Sequence, residues 1–303
     1  MKRGSTIKSK AIDQDVPLPA EPGYQVVSYR DYRGDRWENV QSAVVKEMAV
    51  SLTVNGEPWL SLMCTPVDLD ALAVGFLFNE GVIQSIDEIA SVRVCLTLDN
   101  VDVWVTHAVE APVRWRRTSG CTGGMTSVGE QPAAEVVNSV VTGSFRLPPE
   151  RIMALVTQLF EMQDLYRQVG GVHTSALSDG ETICVSADDI GRHNTLDKIA
   201  GRCLLDGVEL SQRILITTGR VSSEMLQKAA RLGAAIVISR TSPSSLSIQM
   251  AETWGITLIG YARRERFRVY THAERILAPT DAPFQTASNE NREINQEDNK
   301  GTL

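Results

Sequence analysis

The first third of the chain alternates apolar and polar residues, a pattern typical of half-buried β-strands. Asn55-Gly56 lies between two such segments and is a strong signal for a hairpin turn. Residues 68–80 instead carry apolar residues at helical spacing and end at Gly81, which predicts a helix. This region is therefore predicted to form a small sheet with one helix. The predicted strands are 47–54, 59–63, 92–98 and 101–106.

The second half of the chain alternates short apolar runs with amphipathic segments, after one long predicted helix at 148–168. Strands that alternate with helices indicate a sheet with parallel members and helices on both faces. In such sheets ligands collect at the carboxyl ends of the strands. The predicted strands are 183–186, 214–217, 235–239 and 257–259, and the predicted helices are 194–205, 222–232 and 244–254.

These patterns divide the chain into two folded parts and two terminal segments. Residues 1–22 and 278–303 are polar and cannot bury enough apolar surface to offset their ordering entropy, so both are predicted to be disordered. Residues 23–111 are predicted to form a small α+β domain, and residues 112–277 a larger α/β domain. A loop at 114–131, rich in Gly, Ser and Thr, opens the larger domain, and loops of this kind often carry functional residues.

Composition and charge argue against several classes of function. The net charge of −7 over 303 residues argues against a general nucleic-acid scaffold. The 5 cysteines are scattered and odd in number, which argues against a disulfide framework and a structural zinc site. The sequence shows no signal-peptide pattern and no apolar run of the roughly 20 residues that a membrane span needs. We therefore expect a cytoplasmic protein that is not bound to membranes.

Cys121 is the candidate nucleophile. It lies in the glycine-rich run 119–124, where a partner can approach the backbone closely, and Arg114, Arg116 and Arg117 precede it. Nearby cations favour the thiolate, which is the form that attacks or holds another sulfur. The alternative is a buried cysteine that acts as a small apolar residue, as many free cysteines do.

Polar loops that follow the predicted strands are candidate ligand-binding segments. Arg192 can bind a phosphate through two parallel hydrogen bonds, and His193 can move protons near neutral pH. Asn194 is predicted to cap a helix whose N-terminus favours an anion. Ordinary capped turns and ion pairs are the alternative for each loop, and the turn at 217–222 lacks the ending of a P-loop. The candidate residues in these loops are Asp188, Arg192, His193, Asn194, Gly219, Arg220 and Ser222.

The segment 261–266 is predicted to contact a nucleotide. It combines an aromatic residue with several arginines, which suit a nucleotide by charge and by stacking. A solvated basic hairpin is the alternative. The residues concerned are Tyr261, Ala262, Arg263, Arg264, Glu265 and Arg266.

Together these motifs resemble those of the formate dehydrogenase accessory sulfurtransferase family (FdhD/NarQ). The most specific match is the run Asp-Ile-Gly-Arg-His-Asn at 189–194, which precedes a Gly-Arg-x-Ser turn at 219–222. The resemblance extends from about residue 40 to residue 270. It implies an α/β fold with a three-layer main domain similar to cytidine deaminase and a smaller N-terminal α+β domain.

The resemblance implies a sulfur carrier with a persulfide intermediate on Cys121. Such a protein passes sulfur from a cysteine desulfurase to the molybdenum cofactor of formate dehydrogenase, in its bis-molybdopterin guanine dinucleotide form. No cofactor is then permanently bound, and the molybdenum cofactor is bound transiently. Arg192, Arg220 and the segment 261–266 are expected to contact its nucleotide ends. The resemblance also implies a homodimer.

Two departures from related patterns leave alternatives open. Many members of the family carry Cys-x-x-Cys in the loop, whereas this chain has Gly124 at the second position. A chaperone that binds the cofactor without transferring sulfur is therefore the alternative function. Zinc deaminases need His-x-Glu together with Pro-Cys-x-x-Cys. His107 and Glu110 have the wrong spacing for that motif, so we expect no zinc site.

Overall fold

A computed structural model describes most of the chain between residues 23 and 277. Within these residues the chain forms one six-stranded sheet, one four-stranded sheet and two two-stranded sheets, together with six α-helices. This is a mixed α/β fold. The described residues are 23–112, 115–117, 125–127, 145–210 and 213–277, with only the backbone described for 115–117 and 125–127.

The N-terminal part forms a long hairpin and then the four-stranded sheet, whose order is β4-β3-β6-β5. Asn55 and Gly56 both have positive φ, 49° and 85°, as a type I′ turn requires, so the predicted hairpin is confirmed. The predicted helix forms as α1 (Leu69–Asn79). The strands are β1 (Tyr24–Arg33), β2 (Arg36–Val45), β3 (Met48–Val54), β4 (Glu57–Cys64), β5 (Ile89–Val94) and β6 (Asn100–Val105).

Two short strands follow, β7 (Trp115–Arg117) and β8 (Met125–Ser127), and they pair in antiparallel fashion. Cys121 lies between them in the sequence. It is outside the described residues, as are Arg114 and Gly124.

The six-stranded sheet has the order β10-β9-β11-β12-β13-β14. Its central strands β11, β12 and β13 run parallel, and its other neighbours pair in antiparallel fashion. The prediction of a sheet with parallel members is confirmed. The strands are β9 (His173–Ser178), β10 (Ile183–Asp189), β11 (Arg213–Thr217), β12 (Ala234–Ser239), β13 (Thr257–Gly260) and β14 (Arg268–Val269).

The single helix predicted at 148–168 is wrong, because two helices form there. Gln163 leaves the helical conformation, with φ −78° and ψ 58°, and its buried side chain donates to Thr174 Oγ1 at 3.1 Å. None of the helices in the described part of the chain combines the length and the apolar character that a membrane crossing needs. The remaining helices are α2 (Pro149–Glu161), α3 (Asp164–Val169), α4 (Arg192–Asp206), α5 (Ser223–Arg231) and α6 (Ser245–Thr253).

Helices cover both faces of the six-stranded sheet. Ile214 and Ile216 of β11 belong to the apolar cluster that contains the buried face of α2, while Leu215 between them belongs to the cluster on the opposite face. The second cluster includes residues of α4 and α5 and continues through α1 into the four-stranded sheet. The two parts of the chain therefore share one continuous core, and their division into two domains at 111–112 stays a prediction.

The helices α1 and α4 cross at two glycines. A Cβ atom built at Gly75 would lie 1.7 Å from the backbone oxygen of Asp197, and one built at Gly201 would lie 1.9 Å from that of Ala71. Backbone therefore lies directly against backbone at this crossing. This close approach brings the N-terminal sheet against the start of α4.

Candidate functional site

A cavity of about 390 Å³ lies among the loops that follow β11 and β12 and the start of α4. Two helices begin at this cavity. Ser222 caps α5 by accepting from Met225 N at 3.4 Å, and Ser244 caps α6 by accepting from Ser247 N at 3.2 Å. We call this cavity the cradle. Its lining is formed by Arg192, Arg220, Val221, Ser222, Ser242, Pro243 and Ser244.

The two loops of the cradle are joined by backbone hydrogen bonds. Val221 N donates to Ser242 O at 3.3 Å, and Ser244 N donates to Val221 O at 2.9 Å. Ser247 Oγ adds a further bond to Val221 O at 2.9 Å. Both loops are thus held in place before a ligand arrives.

Gly219 allows Arg192 to approach the turn that follows β11. A Cβ atom at Gly219 would lie 2.9 Å from Arg192 Cβ and 3.1 Å from its Cδ. Arg192 is buried, while Arg220 is exposed. Two guanidinium groups and two helix N-termini at one cavity favour an anion, and a phosphate fits the paired donors of arginine.

The predicted cap at Asn194 is wrong, because α4 begins two residues earlier, at Arg192. The turn before the helix is closed instead by Asp189, whose Oδ1 accepts from Gly191 N at 2.7 Å. The amide of Asn194 donates to the same carboxylate oxygen at 2.9 Å and to Met63 O at 2.8 Å. Asn194 therefore connects α4 to the end of β4.

A buried ion pair strengthens this connection. Lys198 Nζ lies 2.6 Å from Asp189 Oδ2, and it also donates to Thr65 O at 3.0 Å and to Asp188 O at 3.1 Å. Thr65 in turn donates its backbone N–H to Asp189 Oδ2 at 3.1 Å and accepts from Ile190 N at 3.1 Å. The structural role of Thr65 has no signal in the sequence, because its partners are more than 100 positions away.

Asp188 and His193, which were predicted to line the ligand pocket, point elsewhere. Asp188 accepts from Thr174 Oγ1 at 2.6 Å and lines a second cavity of about 360 Å³ near Asp68 and Asp164. Burial raises the pKa of the Asp188 carboxyl. His193 is 1% exposed and is absent from the lining of the cradle. Of the predicted residues, the structure brings Arg192, Gly219, Arg220 and Ser222 together.

His193 is buried as a neutral imidazole. Its Nε2 lies 3.5 Å from Glu224 Oε2, but neither ring nitrogen has a hydrogen-bond partner among the described residues. Burial lowers the pKa of His193 to about 4, and this outweighs the opposing effect of Glu224. A buried neutral histidine favours unfolding in acid, because the unfolded chain takes up a proton that the folded chain does not.

We expect His193→Leu to reduce the acid sensitivity of the protein. Between about pH 6.5 and pH 4 the unfolded state of the wild type binds this proton and the folded state does not, so the free energy of unfolding falls as the pH falls. Over this pH range the free energy of unfolding of the variant should fall by about 2–3 kcal/mol less than that of the wild type. Urea unfolding of both proteins at several pH values measures the difference. Equal losses in the two proteins would show that His193 is protonated in the folded state.

Residues 263–266 of the predicted segment line a cavity of about 460 Å³, which we call the basic cavity, whereas Tyr261 and Ala262 are not part of its lining. A hydrogen bond from Arg263 N to Arg266 O at 2.8 Å closes the turn. Burial, together with Arg240 and Arg266, lowers the pKa of the Arg263 guanidinium. The lining residues are Phe160, Arg263, Arg264, Glu265 and Arg266.

Tyr261 and Ala262 occupy different environments in this segment. Tyr261 is exposed, and its ring lies 4.4 Å from the guanidinium carbon of Arg268. Ala262 is buried, and its N–H donates to Ser239 O at 3.0 Å. The hydroxyl of Ser239 donates to Gly219 O at 2.7 Å, so Ser239 joins this segment to the cradle.

Arg240 also belongs to this region, although it is not among the residues predicted from the sequence. Its guanidinium lies 4.8 Å from the centre of the Phe160 ring, and its backbone oxygen accepts from Arg263 Nη1. Its position directly after a predicted strand is the signal that could have found it. The cradle and the basic cavity thus form two neighbouring cationic sites at the end of β12.

The chain is similar to known proteins in both sequence and fold. The sequence model of the FdhD/NarQ family matches residues 45–277. The chain is 36% identical over 258 residues to a protein of Bacillus subtilis described as sulfur carrier protein FdhD, covering 83% of this chain and 98% of that protein. It is 33% identical over 269 residues to a protein of the same description from Staphylococcus aureus, covering 88% of this chain and 98% of that one. The fold matches the crystal structure of a proposed formate dehydrogenase accessory protein from Desulfotalea psychrophila with a TM-score of 0.70 and 30% identity, over 84% of this chain and 100% of that chain.

Proposed function

The chain belongs to the FdhD/NarQ family, and from this premise we propose that it carries sulfur from a cysteine desulfurase to the molybdenum cofactor of formate dehydrogenase. The carrier group is Cys121, which accepts a sulfur atom as a persulfide. The thiolate attacks the terminal sulfur of the desulfurase persulfide, a new S–S bond forms, and the desulfurase thiolate leaves. The terminal sulfur on Cys121 is then passed to the cofactor, which is the substrate. The S–S bond breaks, the Cys121 thiolate leaves, and the two electrons that bring the sulfur to the sulfide level come from the molybdenum centre in its reduced state.

The main support for this proposal is that the cradle and the basic cavity are neighbouring cationic sites. The bis-molybdopterin guanine dinucleotide form of the cofactor has phosphates and guanine bases at its ends. The cradle offers Arg192, Arg220 and two helix N-termini, which suit phosphates. The basic cavity offers arginines beside Phe160, which suit a nucleotide through charge and stacking.

Persulfide labelling tests the sulfur-carrying step. We expect incubation with a cysteine desulfurase and cysteine to add one sulfur atom to the peptide that contains Cys121, as read by mass spectrometry. Cys121→Ala should lose the label completely. Cys184→Ala is the matched control, because Cys184 is a free and exposed thiol in the described part of the chain, and this variant should keep the label. A label that survives in Cys121→Ala would reject the assignment.

The chaperone remains the second candidate, because Gly124 replaces the second cysteine of the usual loop motif. The two functions differ in cells that depend on this protein for formate dehydrogenase activity. A sulfur carrier with Cys121→Ala should bind guanosine diphosphate normally and yet leave the dehydrogenase inactive. A chaperone with the same substitution should leave the dehydrogenase active.

The proposal also covers the finer features that the family resemblance implies. We propose a main part with the three-layer arrangement of cytidine deaminase, a cytoplasmic location and a homodimer. The helices on both faces of the six-stranded sheet support the first of these. Metal analysis of the purified protein tests the expectation that it contains no zinc, and sedimentation tests the dimer.

A further inference from the structure

His173 lies at the same edge of the six-stranded sheet as the arginines of the cradle. It begins β9, which runs antiparallel to β11, so the start of β9 meets the carboxyl end of β11. It pairs with Asp189 of β10 in the sheet register. Its side chain is half-buried, and it does not belong to the lining of the cradle itself.

The orientation of the imidazole is fixed by Thr218. The Nδ1 atom of His173 lies 3.3 Å from Thr218 Oγ1, and that oxygen accepts the N–H of Thr174 at 3.1 Å. The Thr218 hydroxyl can donate to Nδ1 or accept from it, and in both cases it holds the ring in this orientation. Among the described residues Nε2 has no hydrogen-bond partner, and it is not one of the buried unpaired atoms.

Three charged side chains from the neighbouring elements act on the charge of His173. They belong to Asp189 of β10, Arg192 at the start of α4, and Arg220 in the turn after β11. Burial lowers the pKa of His173, the two guanidinium groups lower it further, and Asp189 opposes them. A bound anion would offset the charge of the arginines, and protonation of the imidazole would then become more favourable.

We propose that His173 is a further ligand of the anion held by Arg192 and Arg220, and that its imidazole takes up a proton when this anion binds. The inference deepens the proposed function and rests on it, because the anion is a phosphate of the guanine nucleotide. His173 is not part of the cradle lining, but it contacts Thr218, two residues before Arg220. We therefore assign it to the phosphate next to the one that the two arginines hold, so that it favours a nucleoside diphosphate over a monophosphate.

Calorimetric titration with guanosine diphosphate and guanosine monophosphate tests the proposal. The wild type and His173→Gln are compared from about pH 5.5 to pH 8.5, the range in which a perturbed histidine titrates. Glutamine keeps a donor near the position of Nε2 but does not titrate, and the titration of the phosphate itself affects both proteins equally. From the lower to the upper end of this pH range, the affinity of the wild type for the diphosphate should fall about tenfold more than the affinity of the variant does. The monophosphate should show little difference between the two proteins.

Proton uptake gives a second readout that needs no variant. Titration of the wild type in two buffers with different enthalpies of ionisation should show net proton uptake with the diphosphate, and NMR should show the His173 ring protonating at higher pH when the nucleotide is bound.

An unchanged His173 titration, or the same pH dependence in His173→Gln, overturns the role of His173 and leaves the proposed function intact. Arg220→Ala should weaken diphosphate binding at every pH. Failure of the wild type to bind guanosine diphosphate at any pH would overturn both.

Discussion

Replacing Lys198 with methionine should lower the free energy of unfolding by about 3–5 kcal/mol, because it leaves a buried carboxylate without its counter-ion. Lys198 and Asp189 are both fully buried, and their charged atoms lie 2.6 Å apart. Methionine has a similar length and keeps the packing of the aliphatic stem. The lost stability therefore comes from the missing charge and its hydrogen bonds to Thr65 O and Asp188 O, and not from a cavity left in the core. Urea unfolding at neutral pH measures it.

An exposed ion pair provides the matched control. Arg33 and Asp31 on the hairpin lie 2.7 Å apart, but the Arg33 side chain is 71% exposed. Arg33→Met should leave the free energy of unfolding almost unchanged, because exposed ion pairs contribute little to stability. Adding Asp189→Asn to Lys198→Met should recover part of the loss, because the uncompensated charge disappears. A Lys198→Met protein as stable as the hairpin variant would show that Asp189 is solvated or protonated when the protein folds.

The motif at 189–194 resembles a ligand site, yet most of its side chains make contacts inside the protein. Three successive residues of α4 point in different directions, because each residue turns about 100° around a helix axis. Arg192 reaches the cradle, His193 reaches Glu224 of α5, and Asn194 reaches Met63 of β4. The residue types predict a polar cluster at this strand end correctly. They contain no information about which side chain faces a ligand.

The fold was predictable where one face of an element is buried. The alternation at 48–54 and the Asn55-Gly56 turn predict the hairpin β3–β4, because its inner face packs into the core. The hairpin β1–β2 has largely exposed side chains on both faces, so no comparable alternation marks it. The break between α2 and α3 depends on Gln163 reaching Thr174, a tertiary contact that helical spacing cannot predict.

The site was predictable to the level of its loops, because polar residues after parallel strands meet at one edge of a sheet. Arg192, Arg220 and Ser222 meet there as the sequence predicts. The link between the cradle and the basic cavity was not predictable. It depends on Ser239, whose hydroxyl bonds Gly219 and whose carbonyl bonds Ala262, and a serine at the end of a strand has many other possible partners.

Gly201→Ala should destabilise the protein by about 3 kcal/mol or more, although alanine is the better helix former. Helix propensity alone predicts that the change stabilises an exposed helix interior by about 1 kcal/mol. At Gly201 the new Cβ would lie 1.9 Å from Ala71 O, and backbone atoms of α1 cannot move aside without displacing the sheet that α1 covers.

Gly207→Ala at the end of the same helix is the control, because nothing lies within 4 Å of its Cβ and only its φ of +69° opposes the change. That control should lose about 1 kcal/mol in thermal or urea unfolding. If Gly201→Ala were instead the more stable of the two, α1 and α4 could not pack backbone to backbone, and the shared core that holds Arg192 at the cradle would have to be arranged differently.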